Sequence, residues 1–268
     1  MKKTEQIKEA LRLYGRYMSL NIRSAMQHKT SFFLQIAGQL MTSLTTFVGL
    51  FFMFQRFHRV KGYTYSDVLL CFSIVLMQFS LAEMFARGFD AFSGMVRRGE
   101  FDRVLVRPRN EALQVLGSRF ELTRIGRLLQ AVIIFIYGMA TTGVTWTAGR
   151  VLTVLIMLLG GTALFSGLFL VYAALCFFTI EGLEFMNVFT DGGREYGKYP
   201  VDVYGRRMQQ FATFVIPYAL VQYYPLQYML GRSNCWLYGL YPLGALLFLA
   251  ACYGLWRVGV AHYTSTGS

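Results

Sequence analysis

Residues 151–178 read VLTVLIMLLGGTALFSGLFLVYAALCFF, an unbroken apolar run without one charged side chain. A helix crosses a bilayer with about 20 apolar residues, so this run is long enough to span lipid and to project beyond it. Five further stretches share its character: residues 32–54, 68–86, 128–146, 211–230 and 236–256. None of the six contains Lys or Arg. The stretch over 211–230 is the weakest, because Pro217 and Pro225 interrupt it and Gln222 and Gln227 make it less apolar; a broken or re-entrant segment fits it. The expected fold is an all-α integral membrane protein of about six transmembrane helices, forming one domain over residues 1–268.

Composition points the same way. Of 268 residues, 55% are hydrophobic and 15% charged, and the mean hydropathy is +0.42, more apolar surface than a soluble domain of this size tolerates. The net charge of +12 comes from 26 Lys and Arg against 14 Asp and Glu. A nucleic-acid groove would interleave basic and aromatic residues. Here the aromatics lie inside the apolar runs and the cations between them, so membrane lipids rather than nucleic acid are the expected surroundings.

The placement of those cations sets an orientation. Lys and Arg number 7 before the first run, 9 between the second and third, 4 between the fourth and fifth, and 1 after the last; the alternate connections carry 3, 1 and 1. Positively charged loops stay in the cytoplasm. Both termini and the segments 87–127 and 179–210 are therefore expected inside, with 55–67, 147–150 and 231–235 outside. These outer connections are too short to build a domain.

Two inner elements carry a pattern. In residues 1–30, which lack the apolar core and cleavage site of a signal peptide, Ile7, Leu11, Tyr14, Met18, Ile22 and Ala25 share one helical face while Lys8, Arg12, Arg16 and Arg23 fall on another. This is an amphipathic helix, suited to the headgroup layer or to packing on the protein's own inner surface. The segment 97–109 reads RRGEFDRVLVRPR. It is too polar for lipid and too apolar for a tether. Phe101, Val104 and Leu105 would share a helix face, and Pro108 ends it by disfavouring helical geometry at Arg107. Docking into a partner's groove and an ordinary solvated loop both remain open on these residues.

The chain as a whole resembles the ABC-2 type family of transport permeases, particularly its six-span, uncharacterised branch. The features that carry the resemblance are the amphipathic N-terminal helix, Gly62-Tyr63-Thr64, the Gly99-Glu100-Phe101-Asp102 stretch leading to Leu105-Val106-Arg107-Pro108, and Tyr199-Pro200, Ile216-Pro217 and Tyr224-Pro225 around the fifth run. The resemblance implies a coupling helix within the loop 87–127, at about 94–107, with Gly99, Glu100, Phe101, Asp102, Arg103, Leu105, Arg107 and Pro108 meeting an ATP-binding cassette ATPase subunit. It further implies a second permease subunit, like or unlike, in the bacterial cytoplasmic (inner) membrane. The function implied is export of a lipid, lipid-linked glycan, peptide or hydrophobic drug. Cofactors are expected to be none on this chain, with ATP and Mg bound by the partner. In the family, short re-entrant helices close an outer gate, which would fall at Pro217, Tyr224 and Pro225.

Catalytic and metal chemistry is not expected. Cys71, Cys176, Cys235 and Cys252 are far apart, and His28, His58 and His262 are isolated. Gly192, Gly197 and Lys198 have phosphate-loop spacing, but Tyr199 stands where a Ser or Thr would reach Mg²⁺. Glu83 is the one formal charge inside any run; an ionisable group in lipid faces protein or water, so Glu83 either lines a substrate route or pairs with Arg87, one turn on. Gln35, Gln39 and Gln78 either share that interior surface or bind helix to helix. Glu181 and Glu184, at the inner end of the run 151–178, either form part of an entry gate or pair with nearby basic loops. A membrane-embedded lipid-modifying enzyme and an ATP-independent channel or transporter are the alternatives; the first needs convergent acid, base or metal residues and the second further intramembrane charges.

Overall fold

The computed structural model describes residues 2–179 and 184–264, the backbone alone at 2–4, 6 and 7. In chain order the helices are α1 (Lys2–Gln27), α2 (Lys29–Phe57), α3 (Tyr65–Asp90), α4 (Phe92–Arg97), α5 (Glu100–Leu105), α6 (Glu111–Ser118), α7 (Ile125–Thr141), α8 (Ala148–Leu175), α9 (Asn187–Tyr196), α10 (Arg206–Phe214), α11 (Tyr218–Val221), α12 (Tyr223–Met229) and α13 (Gly244–Ala261). Among the described residues no strand forms beyond a bridge between Val60 and Tyr63.

Five helical segments are long and apolar enough to cross a membrane: Lys29–Phe57, Tyr65–Arg97, Leu122–Thr141, Ala148–Leu175 and Trp236–Ala261. They pack as a row in which α2 lies on α7, α7 on α3, α3 on α8, and α8 on α13. The centre is α3. Its most apolar stretch is 89% buried, against 11% for α2, as expected of a helix apolar on every side beside one with an outward face. A reciprocal cap starts α3: Thr64 Oγ1 accepts from the Asp67 amide at 3.3 Å and Asp67 Oδ2 accepts from the Thr64 amide at 3.0 Å, satisfying two first-turn donors. Small residues set the close contacts. A Cβ on Gly161 of α8 would lie 2.1 Å from Gln78 Cδ, so only glycine lets the Gln78 amide reach Met157 O at 2.9 Å and Val221 O at 3.2 Å.

The expected run over 211–230 is not one helix. Pro217 has no amide hydrogen to continue a helix, α10 stops at Phe214, and the chain restarts as α11 and α12. Pro225 sits in the first turn of α12, where the missing donor costs least. The preceding break, after α9, leaves carbonyls without helical partners. Buried Gln222 covers them, its Nε2 lying 3.0 Å from Gly197 O and 2.7 Å from Tyr199 O. A buried carbonyl needs a donor, and Gln222 supplies one here.

The path of residues 187–204 corrects the expected loop arrangement. Asp191 and Arg194 lie beside Glu83 and Arg87, in the C-terminal half of α3. Gly197 O meets Cys71 Sγ in the first half of α3, at 3.4 Å. Asp202 then accepts from the Tyr63 hydroxyl at 3.1 Å, and Lys61 Nζ donates to its carbonyl at 2.8 Å. The segment thus runs along α3 from one end to the other. Lys61 and Tyr63, from the expected outer connection 55–67, and Asp202, from the expected inner segment 179–210, meet at the start of α3, and α10 to α12 fold back from that same end.

Helix α1 touches the bundle through part of the face that its spacing marks, with Tyr14, Met18, Ile22 and Ala25 half-buried. Tyr14 donates to Phe85 O at 2.8 Å, and Asn21 to Gly117 O at 3.3 Å. Burial pushes the Tyr14 hydroxyl up to about 12. Leu11 and Leu20 remain exposed.

Candidate functional site

Along α2, Gln35, Gln39, Thr42 and Thr46 recur at steps of four, three and four, which puts them on one face. That face borders a polar cavity of about 540 Å³. The opposite wall comes from Glu83 and Arg87 of α3, with Arg124 and Arg127 at the start of α7 and Asp191 and Arg194 of α9. The centre of the cluster is Glu83, whose side chain is 5% exposed. Its Oε2 lies 2.7 Å from Arg127 Nη2, and its Oε1 lies 3.3 Å from both Arg87 Nη1 and Arg124 Nη2. A carboxylate this buried is tolerated only when paired. The hydrogen bonds of Arg127 go to Gln39 Oε1, at 3.1 Å from Nε and 2.7 Å from Nη2. Arg127 and Arg194 both stand over the Phe79 ring, 5.7 and 5.1 Å from its centre, an arrangement that favours cations.

Glu83 pairs with Arg87, as one of its two readings expects, and it also borders this cavity. Gln35 and Gln39 share that wall. Gln78 does not; its amide joins α3 to α8 and α11, as a bond between helices. Glu184 is exposed and away from the cavity, and Glu181 lies outside the described residues. Arg124, Arg127 and Arg194 are the residues that a hydropathy reading assigns to loops. The signal available was Gln130, which follows Arg127 by three positions and extends the same face into the apolar run, so the helix starts before that run does at Leu128. The phosphate-loop spacing dissolves into helix: Gly192 lies within α9, and the Lys198 amine is tied to Glu195.

The segment 99–108 is built differently from its expectation. Gly99, at φ +63°, makes the left-handed turn between α4 and α5, a geometry that glycine adopts at little cost. Phe101 then points into the chain's own bundle and is fully buried. Its ring packs edge-on to Phe92 at 5.0 Å and Tyr263 at 5.1 Å, with Phe177 at 5.3 Å and Trp256 at 6.1 Å. The Tyr263 hydroxyl donates to Asp102 Oδ1 at 3.0 Å. The groove that receives Phe101 is therefore made by α4, α13 and the end of α8. What faces outward is Arg103, Leu105, Val106, Arg107 and Pro108, with Val106 86% exposed. Glu100 forks with Arg98 at 2.7 and 3.1 Å, and that guanidinium holds its carboxyl below the ordinary value.

Around the proposed gate, Pro217 and Pro225 are buried at the two helix breaks. Tyr224 stacks within 5.3 Å of Tyr223, Tyr238 and Tyr241, a ring cluster that joins α12 to the 3₁₀ segment Trp236–Leu243. A second clasp closes the same end: Arg232 donates to Gly62 O at 2.8 Å and to Asp67 Oδ2 at 3.0 Å, and lies over the Tyr63 ring.

Among the described residues no cluster of His, Cys, Asp and Glu is arranged to hold a metal. No curated protein and no solved structure matches the chain. Residues 40–267 match a family described as ABC-2 family transporter protein. This family's members are transport subunits rather than catalytic enzymes, and the apolar helices make this one a multi-pass membrane protein. With most of its length matched, the chain belongs to the ABC-2 transporter family.

Proposed function

We propose that the chain is the permease subunit of an ATP-driven exporter, moving a hydrophobic or amphipathic substrate outward across a bacterial cytoplasmic membrane with energy from a separate ATP-binding subunit. The observation that carries this reading is the seat of Phe101. A short helix with an exposed, mixed basic and apolar edge is clamped by one aromatic ring to α13 and to the end of α8. A push on Leu105 and Val106 is delivered through that ring to two membrane-spanning helices. The cation distribution supports an inward-facing position for this edge, since 7 Lys and Arg precede residue 32 and 9 lie between residues 86 and 128.

In this reading residues 187–204 make the sixth crossing, α10 to α12 form the re-entrant gate with Pro217, Tyr224 and Pro225, and the Glu83 cavity lies on the substrate route. A second permease subunit, like or unlike this one, covers the outward face of α2, where Phe33, Leu34, Met41 and Phe52 are exposed. The test is co-purification: the tagged chain, extracted from native membranes in mild detergent, should bring down an ATP-binding subunit in stoichiometric amount. Recovery of the chain alone, under conditions that keep known transporter complexes intact, would overturn the reading.

A further inference from the structure

The Glu83 cavity has a composition that narrows what enters it. Five cations line it, Arg87, Arg124, Arg127, Arg194 and Lys198, against three acids, Glu83, Asp191 and Glu195. Two more acids compensate from behind the wall: Asp90 pairs with Arg87 at 3.0 Å and Glu121 with Arg124 at 3.2 Å. The cavity face is thus cationic within a cluster that is close to neutral overall. That arrangement lets the cluster fold inside a low-dielectric bundle while still presenting positive charge to the space it encloses.

A second observation is independent of the charge count. Arg127 is 4% exposed, and its Nη1, the Nε of Arg124 and the Oε2 of Glu83 are all buried without a hydrogen-bond partner, although Glu83 Oε2 lies 2.7 Å from Arg127 Nη2. A buried guanidinium N–H left unmade is costly, and a phosphate or carboxylate oxygen is its best-matched acceptor. The same cavity continues past Thr42 and Thr46 to Phe72 and Leu76, so the charged end opens onto an apolar one. The volume suits one small amphiphile or the head and first methylenes of a larger one.

We infer that this cavity is a binding site for the anionic group, phosphate or carboxylate, of an amphipathic substrate, with Arg127 and Arg194 as its principal contacts. The inference rests on the permease reading only for the word substrate; the binding itself does not need ATP. A single anion bridging α7 and α9 would also hold the broken crossing against the bundle.

The experiment uses the full chain in phosphatidylcholine nanodiscs, titrated by calorimetry with hexyl phosphate, hexanol and inorganic phosphate, with empty nanodiscs as the blank. Saturable binding of hexyl phosphate and none of hexanol is expected. Arg127→Gln and Arg194→Gln should each weaken hexyl phosphate by roughly tenfold to a hundredfold, the range for losing a charged hydrogen bond. Arg257→Gln, outside the cavity, should leave it unchanged. Inorganic phosphate binding as tightly as hexyl phosphate would keep the anion site and assign it to a free ion. Where Arg127→Gln fails to give a monodisperse chain, the double variant Glu83→Gln/Arg127→Gln, which removes the pair together, takes its place. Equal binding of hexanol, or undiminished affinity in Arg194→Gln and the Arg127 variants, would overturn the inference. Loss of the anion site with an ATPase still co-purifying removes this proposal alone, whereas anion binding by a chain that never brings down an ATPase removes the permease reading alone.

Discussion

Glu83 and Arg127 meet at 2.7 Å with each side chain 5% exposed, the most deeply buried ion pair in the bundle among the described residues. Losing Arg127 leaves Glu83 with Arg87 and Arg124 at 3.3 Å, a weaker compensation for a buried carboxylate. Arg127→Gln is therefore expected to destabilise the chain by about 1.5–3 kcal/mol, the range for a charged hydrogen bond. The double variant with Glu83→Gln should cost less than the sum of the two single losses, since each single variant already removes the shared pair. Thermal unfolding of the detergent-solubilised chain gives the cycle, and purely additive losses would mean that the two residues are not coupled.

The seat of Phe101 separates two variants that sequence alone would treat as equivalent. Phe101→Ala empties a site packed by Phe92, Phe177, Trp256 and Tyr263 and should cost about 3–5 kcal/mol, seen as a lower unfolding temperature. Val106→Asp changes an 86% exposed side chain and should alter stability by no more than about 0.5 kcal/mol. Under the coupling reading it should nevertheless abolish co-purification of the ATPase. A Val106→Asp chain that retains its ATPase and transports normally would remove 105–107 from the contact.

Gln222 offers a prediction about backbone rather than side-chain packing. Its amide stands where Gly197 and Tyr199 lose their helical partners. Gln222→Leu keeps the volume and strands those carbonyls, at a cost of about 1–3 kcal/mol. Because the strain is local, protection from hydrogen exchange should fall first over 196–200 and 218–224. Unchanged exchange there would show that the carbonyls have other donors, such as ordered water.

The comparison of sequence and structure divides along a physical line. Helices α2, α3, α8 and α13 were legible because each is apolar over a full crossing, and a hydropathy window measures that quantity. The amphipathic spacing of α1 was legible for the same reason, at its own period. Residues 187–204 were not, since Asp191, Arg194, Glu195 and Lys198 give the segment the composition of a loop. Its charges are matched across space, by one another and by the Glu83 cluster, and no local window contains α3 or α7. Glu83 was found because it is a charge within an apolar run; Arg127 was missed because it ends one. Phe101 and Val104 share a buried face, whereas Leu105, expected beside them, turns outward; whether the face of Phe101 meets another protein or the chain's own α13 depends on contacts 155 residues away, between Phe101 and Trp256.

The course of 187–204 yields the most direct test of topology. Lys61 and Tyr63 bind Asp202, so residues 59 and 204 must lie at the same end of α3, opposite Arg98. In a chain whose partly exposed Cys235 is replaced by Ser, with Cys71, Cys176 and Cys252 buried, single cysteines are introduced as Arg59→Cys, Tyr204→Cys and Arg98→Cys. A membrane-impermeant maleimide applied to intact cells should label the first two, and the third only after the membrane is opened. Labelling of the Tyr204→Cys chain together with the Arg98→Cys chain would instead restore 179–210 as an inner loop. That outcome would require the contacts of Asp202 with Lys61 and Tyr63 to be absent in the membrane, and would remove the proposed crossing at 187–204 with them.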